Sequence, residues 1–438
     1  LEQRQDLADR RVLRKYASMQ LMAPARWPGA GDHTLSISQQ VAVNLALSQE
    51  SGIFSVNGPP GTGKTTLLND IISNIIVRRA QAMASLADPV DAFEAPIKEQ
   101  IHGEPYAAWK PKALLQGYEI VIAGSNNTAV ENISGEIPGQ GAVSPEWKLD
   151  YFADLAKHIL DIPDCWGLCA APLGRQDLVN KFFNNFWKKV HDEAAPGFND
   201  WLLQCQGNKA KTQVAWMQAK QEFQSTLKAY NAVRQQLIEA EQDLDQLYQT
   251  TQQLQDAKQQ LAAYKHQLAE LATAQQALET PGILLKEKHK DCTEQLRHWH
   301  SKKPSWWTCF IPDEAAESWA EGYNKALDAQ EAAWSKVETW QQEVATIQDK
   351  LQDIARAQHV LTRKCEDLQA CIDKQAKYIE FYKVQMGCQI PDYAFWQQPE
   401  EALQQSTPWY SKELHRLRAM LFVKAMNLHR AFIAQAAI

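Results

Sequence analysis

The chain has 438 residues, 45% of them hydrophobic, and a formal net charge of −7. That length allows two or three domains. No apolar run is long enough to span a bilayer, and the acidic balance excludes a globally basic nucleic-acid binder, so such a partner needs a local basic path. The eight cysteines are scattered without a CxxC pair, and Cys165 and Cys169 have no matching His or Cys pair nearby. They read as reduced thiols of a cytoplasmic protein. Leu1-Glu2-Gln3-Arg4-Gln5 opens in helical character without an initiator Met, which is read as a fragment truncated at the front.

In chain order, Leu7, Leu13, Tyr16 and Met19 predict a helix over residues 1–20. Pro24, Trp27, Pro28 and Gly29 break it and mark a linker. A second helix is expected from Ser36 or Ser38, either of which can cap it, through Val41, Val43 and Leu45 to about Ser48. Gln39 sits at its start, where an amide can be merely solvated or can read an adenine edge. Ile53-Phe54-Ser55-Val56 reads as a short buried strand. Gly58-Pro59-Pro60-Gly61-Thr62-Gly63-Lys64-Thr65 follows and fits the pattern G-x-x-x-x-G-K-[ST]. From Thr66 to Ile76 the apolar spacing is helical. Strand, glycine loop and helix form a phosphate cradle. Glycines turn the backbone so that its N–H groups face phosphate oxygens, and the helix start adds partial positive charge. Lys64 supplies a charge for the β and γ phosphates, and the Thr65 hydroxyl is a ligand for Mg²⁺.

Residues 78–112 carry Pro89, Pro96, Pro105 and Pro111 and are expected to be irregular and partly helical. Residues 118–124 predict a second strand, ending in Ser125-Asn126-Asn127-Thr128-Ala129-Val130. Hydroxyls and amides there stand at the carboxyl edge of a parallel sheet, where open α/β sheets bind ligands. An ordinary capped helix start gives the same pattern.

Three segments in this order, Ser38-Gln39 with Ala42-Val43, Gly58–Thr65 and Gly124–Val130, resemble the Q motif, motif I and motif Ia of superfamily 1 helicases. The similar branch includes the nonsense-decay RNA helicases. Trp166-Gly167-Leu168, Leu173-Gly174 and the helix at Leu417–Ile433 resemble bacterial members of the group. The likeness covers residues 24–190 and 408–438. It implies an α/β fold: a RecA-like P-loop parallel sheet with helices on both faces. It also implies that Gln39 reads adenine, that Gly58, Pro59, Pro60, Gly61, Thr62, Gly63, Lys64, Thr65 and Thr66 hold ATP with Mg²⁺ on Thr65, and that Ser125, Asn126 and Asn127 touch single-stranded DNA or RNA. Lys64 and Thr65 are then the catalytic residues. The family's Asp-Glu strand end is missing. Phe310-Ile311-Pro312-Asp313-Glu314 mimics it, but Pro312 removes an N–H that a central strand needs. The later motifs would lie beyond the closing helix, so the chain is expected to hydrolyse ATP poorly or not at all.

Residues 150–200 read as helices, with Phe182, Phe183, Phe186 and Trp187 on one apolar surface. From about Asn208 the composition turns to Gln, Ala, Leu, Glu and Lys. Leu247, Leu254, Leu261 and Leu268 recur at heptad spacing, with Ala257, Tyr264, Leu271 and Leu278 between them. Pro281-Gly282 is expected to end that helix. Trp340, Ile347, Ile354, Leu361 and Leu368, with Val337, Val344, Leu351, Cys365 and Ile372, pattern a return arm. This predicts an antiparallel coiled-coil hairpin inserted in the ATPase domain, with arms of roughly 60 residues, or about 90 Å. At its tip Lys286, Lys288, Lys290, Arg297, Lys302 and Lys303 alternate with Trp299, Trp306 and Trp307. Such a mixture can hold a nucleic acid or a protein, or simply close an apolar cap.

The expected domains are an N-terminal helix and linker (1–34), the first part of the ATPase domain (35–207), the hairpin (208–385, tip about 281–315), and a loop and helix returning to the ATPase sheet (386–438). The function expected is the ATP-binding half of a superfamily 1 helicase or translocase. The alternative is a nucleotide-gated structural or signalling ATPase whose coiled-coil arm binds a partner.

Overall fold

The computed structural model describes residues 10–29, 34–49, 52–57, 62–101, 104–124, 127–187, 197–305 and 314–437. They form two compact units. One runs to Asp245 and resumes at Lys377, and the other comprises Gln246–Ala376.

The first unit begins with α1 (Arg10–Tyr16) and α2 (Ile37–Ser48). Ser36, not Ser38, caps α2. Its side chain accepts from the Gln39 N–H, and the Gln39 side chain accepts from the Ser36 N–H, a reciprocal capping box. Next is α3 (Lys64–Ser85), longer than the apolar spacing implied. The stretch expected to be irregular then holds an antiparallel hairpin, β1 (Ile97–Ile101) and β2 (Glu104–Ala108), in the register Ile97↔Ala108 to Ile101↔Glu104. Short helices follow: α4 (Asn127–Glu136), α5 (Ala153–Leu160), α6 (Gln176–Trp187) and α7 (Phe198–Gly207).

Among the described residues this hairpin is the only sheet, and the expected parallel sheet is not found. Ile53–Val56 and residues 118–124 lie outside any strand, with Ile53 96% and Val121 91% exposed. A parallel strand needs a hydrogen-bonded neighbour and cover on both faces of its sheet, and neither segment has a ladder partner among the described residues. Residues 120–124 instead line an open groove of about 490 Å³ with Val130, Ile137 and Leu173.

The presumed linker is a core element. Met22, Ala23 and Ala25–Pro28 are buried, and their backbone groups are paired by side chains rather than by another strand. The Ala23 N–H donates to Asn44 of α2 at 3.2 Å, the Ala25 N–H to Asn74 at 2.7 Å and the Trp27 N–H to Asp70 at 2.8 Å. Arg418 donates to the carbonyls of Ala23 and Ala25, both at 3.0 Å. The alternation 23, 25, 27 is the period of an extended chain. A buried backbone must find partners, and here α2, α3 and the last helix provide them.

That last helix, α12 (Lys412–Ala436), follows α10 (Tyr393–Trp396) and α11 (Glu400–Gln405). It packs on α3 directly, not on a sheet. Leu421, Phe422, Met426, Leu428 and Phe432 are buried with Ile72, Val77 and Met83 of α3 and with Trp27, Trp166 and Trp216. Each such side chain contributes on the order of 2 kcal/mol of burial. Phe182 and Phe186 stack at 5.6 Å, and Phe186 on Phe198 at 4.6 Å. Phe183, expected beside them, is 61% exposed, because the next residue on a helix turns about 100° away.

The second unit is built from the part of α8 (Lys209–Ser301) after Asp245 and the part of α9 (Glu314–Met386) before Lys377. The helical composition starts at Lys209, but Trp216, Phe223, Tyr230 and Leu237 are buried in the first unit, and the separate unit begins at Gln246. Leu254 and Ala257 pack with Leu361 and Cys365, flanked by Leu261, Tyr264, Leu368 and Ile372. Residue numbers fall on one arm as they rise on the other, so the arms are antiparallel. Pro281 does not end α8. It leaves the Ala277 carbonyl without its N–H, yet the helix runs on to Ser301, with α9 packed against this turn. The Trp340 indole lies where a Gly282 Cβ would be, 2.2 Å from its ring atoms, and donates its N–H to the Leu278 carbonyl at 2.9 Å. Nearer the tip the roles reverse: Gly322 of α9 faces Trp299 of α8, 2.6 Å from the built Cβ. α8 ends at Ser301 and α9 begins at Glu314.

Candidate functional site

Helix α3 opens at Lys64, directly after Gly63. Gly63 has φ +74°, ψ 27°, the left-handed region that costs a glycine nothing. No acidic residue lies in its first turn. A helix start of this kind favours an approaching anion. Lys64 and Thr66 are exposed and Thr65 is half-buried. The glycine-rich part of the loop, Gly58, Pro59, Pro60 and Gly61, lies outside the described residues; Thr62 and Gly63 lie within them.

Gln39 is brought to this loop. Its Nε2 donates to the Thr62 carbonyl at 3.0 Å, and its Oε1 accepts from the Ser36 N–H at 3.0 Å. A Cβ on Gly63 would stand 2.3 Å from that Nε2. Leu67, one turn into α3, is buried with Val43 and Leu47 of α2. The Q-like segment, the Thr62–Gly63 end of the loop and the start of α3 are thus one packed corner.

The strand-contact residues are less visible. Ser125 and Asn126 lie outside the described residues, and Asn127 is the first residue of α4. Residues 120–124 before them are not in a sheet, so the expected sheet edge is not formed here. Of the carboxylate mimic, Glu314 is the first residue of α9 in the second unit, and Phe310–Asp313 lie outside the described residues.

At the hairpin end Lys302 and Lys303 are exposed, while Trp306 and Trp307 lie outside the described residues. The aromatic residues that are described there mostly pack. The Trp319 indole donates to the Trp299 carbonyl at 2.7 Å, Trp319 stacks on Tyr323 at 5.1 Å, and the Lys286 ammonium sits 4.6 Å from the Trp340 ring. The cations of α8 are interspersed with Glu287, Asp291 and Glu294, and the start of α9 carries Glu314, Glu317, Glu321 and Asp328. A balanced field of this kind does not steer a polyanion.

Sequence reading missed a buried charged cluster next to the loop helix. Asp70 is 2% exposed, with Arg26 and Arg418 close by. Burial pushes its carboxyl above the usual range, against the pull of Arg418, Arg26 and the Trp27 N–H. His415 contacts Arg26 through Nδ1, and burial together with the two arginines pushes it down to about 3. The signal was present: Asp70 and Asn74 lie four apart on a helix whose neighbouring positions are apolar. Among the described residues no group of three or more His, Cys, Asp or Glu side chains could hold a metal ion. No described helix is long and apolar enough to cross a membrane.

Residues 34–143, about a quarter of the chain, match a family model described as an AAA domain. That segment runs from α2 through the loop and α3 to just past α4, so in this part the chain is similar to an AAA domain. No curated protein and no solved structure matches the chain.

Proposed function

We propose that the chain binds Mg²⁺–ATP on the loop Gly58–Thr66 and is the nucleotide-binding half of a superfamily 1 helicase or translocase acting on single-stranded DNA or RNA. The observation that carries the reading is the left-handed Gly63 opening α3 at Lys64 and Thr65, inside the segment that matches an AAA domain. Lys64 supplies the charge for the terminal phosphates, and the first turn of α3 supplies N–H donors. The Thr65 hydroxyl, half-buried on that turn, fits a magnesium ion, a hard cation held by one or two protein oxygens together with phosphate and water. Bound there, the ion would offset phosphate charge. Ser125, Asn126 and Asn127 are the candidate contacts for the strand.

Calorimetry with Mg²⁺–ATP on wild type and Lys64→Ala tests the first half of the reading. Loss of a charge-assisted phosphate contact is expected to weaken binding by about 10- to 100-fold. Fluorescence anisotropy with labelled single-stranded DNA and RNA, with and without nucleotide, tests the second. Strand affinity that changes with ATP supports a helicase half. ATP binding without strand affinity at low salt supports the second reading, a nucleotide-gated ATPase whose arm contacts a protein. The observation behind that alternative is the hairpin, keyed at Gly282–Trp340 and Gly322–Trp299 into a single register.

A further inference from the structure

We infer that Gln39 is a positioning residue for the phosphate loop: its amide holds the Thr62 carbonyl, and so orients the Thr62–Gly63 peptide toward a bound polyphosphate whatever base the nucleotide carries. The inference rests on the nucleotide-binding reading above and adds a role to it.

Three observations carry it. The amide makes one bond from each end inside the protein, Nε2 to the Thr62 carbonyl and Oε1 from the Ser36 N–H, both at 3.0 Å. Its base is fixed, because Gln39 is part of the capping box of α2, and α2 packs through Val43 and Leu47 on Leu67 of α3. The loop meets the amide at van der Waals range, where a Gly63 Cβ would intrude to 2.3 Å. A trans peptide is planar, with its C=O and N–H pointing opposite ways. Holding the Thr62 carbonyl against α2 therefore turns the Gly63 N–H away from α2. With the N–H groups that open α3, it forms the kind of anion-binding concavity that successive backbone donors make. The ligand chemistry is that of a triphosphate chain.

The test compares wild type, Gln39→Met and Ser36→Ala for binding of ATP, GTP and inorganic tripolyphosphate, each with Mg²⁺, and for the backbone order of Gly63 without ligand, read from the ¹⁵N relaxation of glycine-labelled protein. Gln39→Met loses the donor to Thr62 without adding a charge. It is expected to weaken all three ligands by about tenfold, leave the ATP-to-GTP ratio unchanged and lower the order of Gly63. Ser36→Ala removes the cap hydroxyl but keeps the bond to Thr62, and is expected to leave affinities within about twofold and the order of Gly63 unaltered. Loss confined to ATP overturns the inference in favour of adenine reading, and unchanged affinities and order overturn it outright. Wild type binding none of the ligands defeats the nucleotide reading. The order of Gly63 then decides on its own: a fall in Gln39→Met upholds the hold on the loop, and no fall removes it.

Discussion

Acidification should loosen the α3–α12 interface through His429. The ring lies on α12, 6% exposed, and its Nε2 is 3.2 Å from the Ile76 carbonyl of α3. Facing a carbonyl, that nitrogen carries a proton and donates it, in the neutral ring as in the charged one. Burial, and next the positive charge of Arg79, draw its pKa from 6.5 down to about 4. The folded protein therefore refuses a proton that the unfolded chain accepts. The contribution is intact above the unfolded pKa, near 6.5, and is lost as pH falls from there toward 4. At about 1.4 kcal/mol per pH unit, the loss from this ring between pH 7 and pH 5 is about 2 kcal/mol. Urea denaturation of wild type and His429→Gln at both pH values measures it. Glutamine keeps an N–H donor and does not titrate, so its stability should differ between the two conditions by about 2 kcal/mol less than that of wild type. Groups that titrate alike in both proteins cancel. An equal pH dependence in the two would refute a buried neutral imidazole at this position.

Two further tests address the core and the arm. Asp70→Ala removes the acceptor of the Trp27 N–H and strands Arg26 and Arg418; it should cost about 3 kcal/mol in chemical denaturation, and Asp70→Asn, which keeps an acceptor, clearly less. Gly282→Ala should lower the thermal midpoint followed by helical circular dichroism, by about 1–3 kcal/mol in free energy. Adding Trp340→Ala should give a combined loss smaller than the sum of the two single changes, since removing the indole removes the clash; strict additivity would mean the two residues do not meet.

The local features were legible where one segment decides its own structure. The Ser36 cap, the loop followed at once by a helix and the heptads of both arms depend on near neighbours and were read from residue type and spacing. What depends on distant chain was not. Residues 118–124 have the composition of a buried strand, but a strand is made by its neighbours. Pro281-Gly282 looks like a stop because its support, Trp340, comes 58 positions later in the chain. Met22–Pro28 looks like a linker because the groups that pair its backbone, Asn44, Asn74, Asp70 and Arg418, belong to three different helices. Gln39 was singled out for a ligand, yet its visible partners are protein. No residue-type rule distinguishes those uses of one amide.

The two glycine–tryptophan keys of the hairpin limit how its length can vary. Gly282 and Trp299 are 17 positions apart on one arm, and Gly322 and Trp340 are 18 apart on the other. Residues added to one arm alone between these points would bring an indole against a neighbour that has a side chain. Both keys then could not close together. Residues added to both arms in equal number, and in whole heptads, leave each indole opposite its glycine. Natural variants of this protein should therefore change arm length only in matched pairs, and a designer who wants a longer or shorter arm has the same rule to follow.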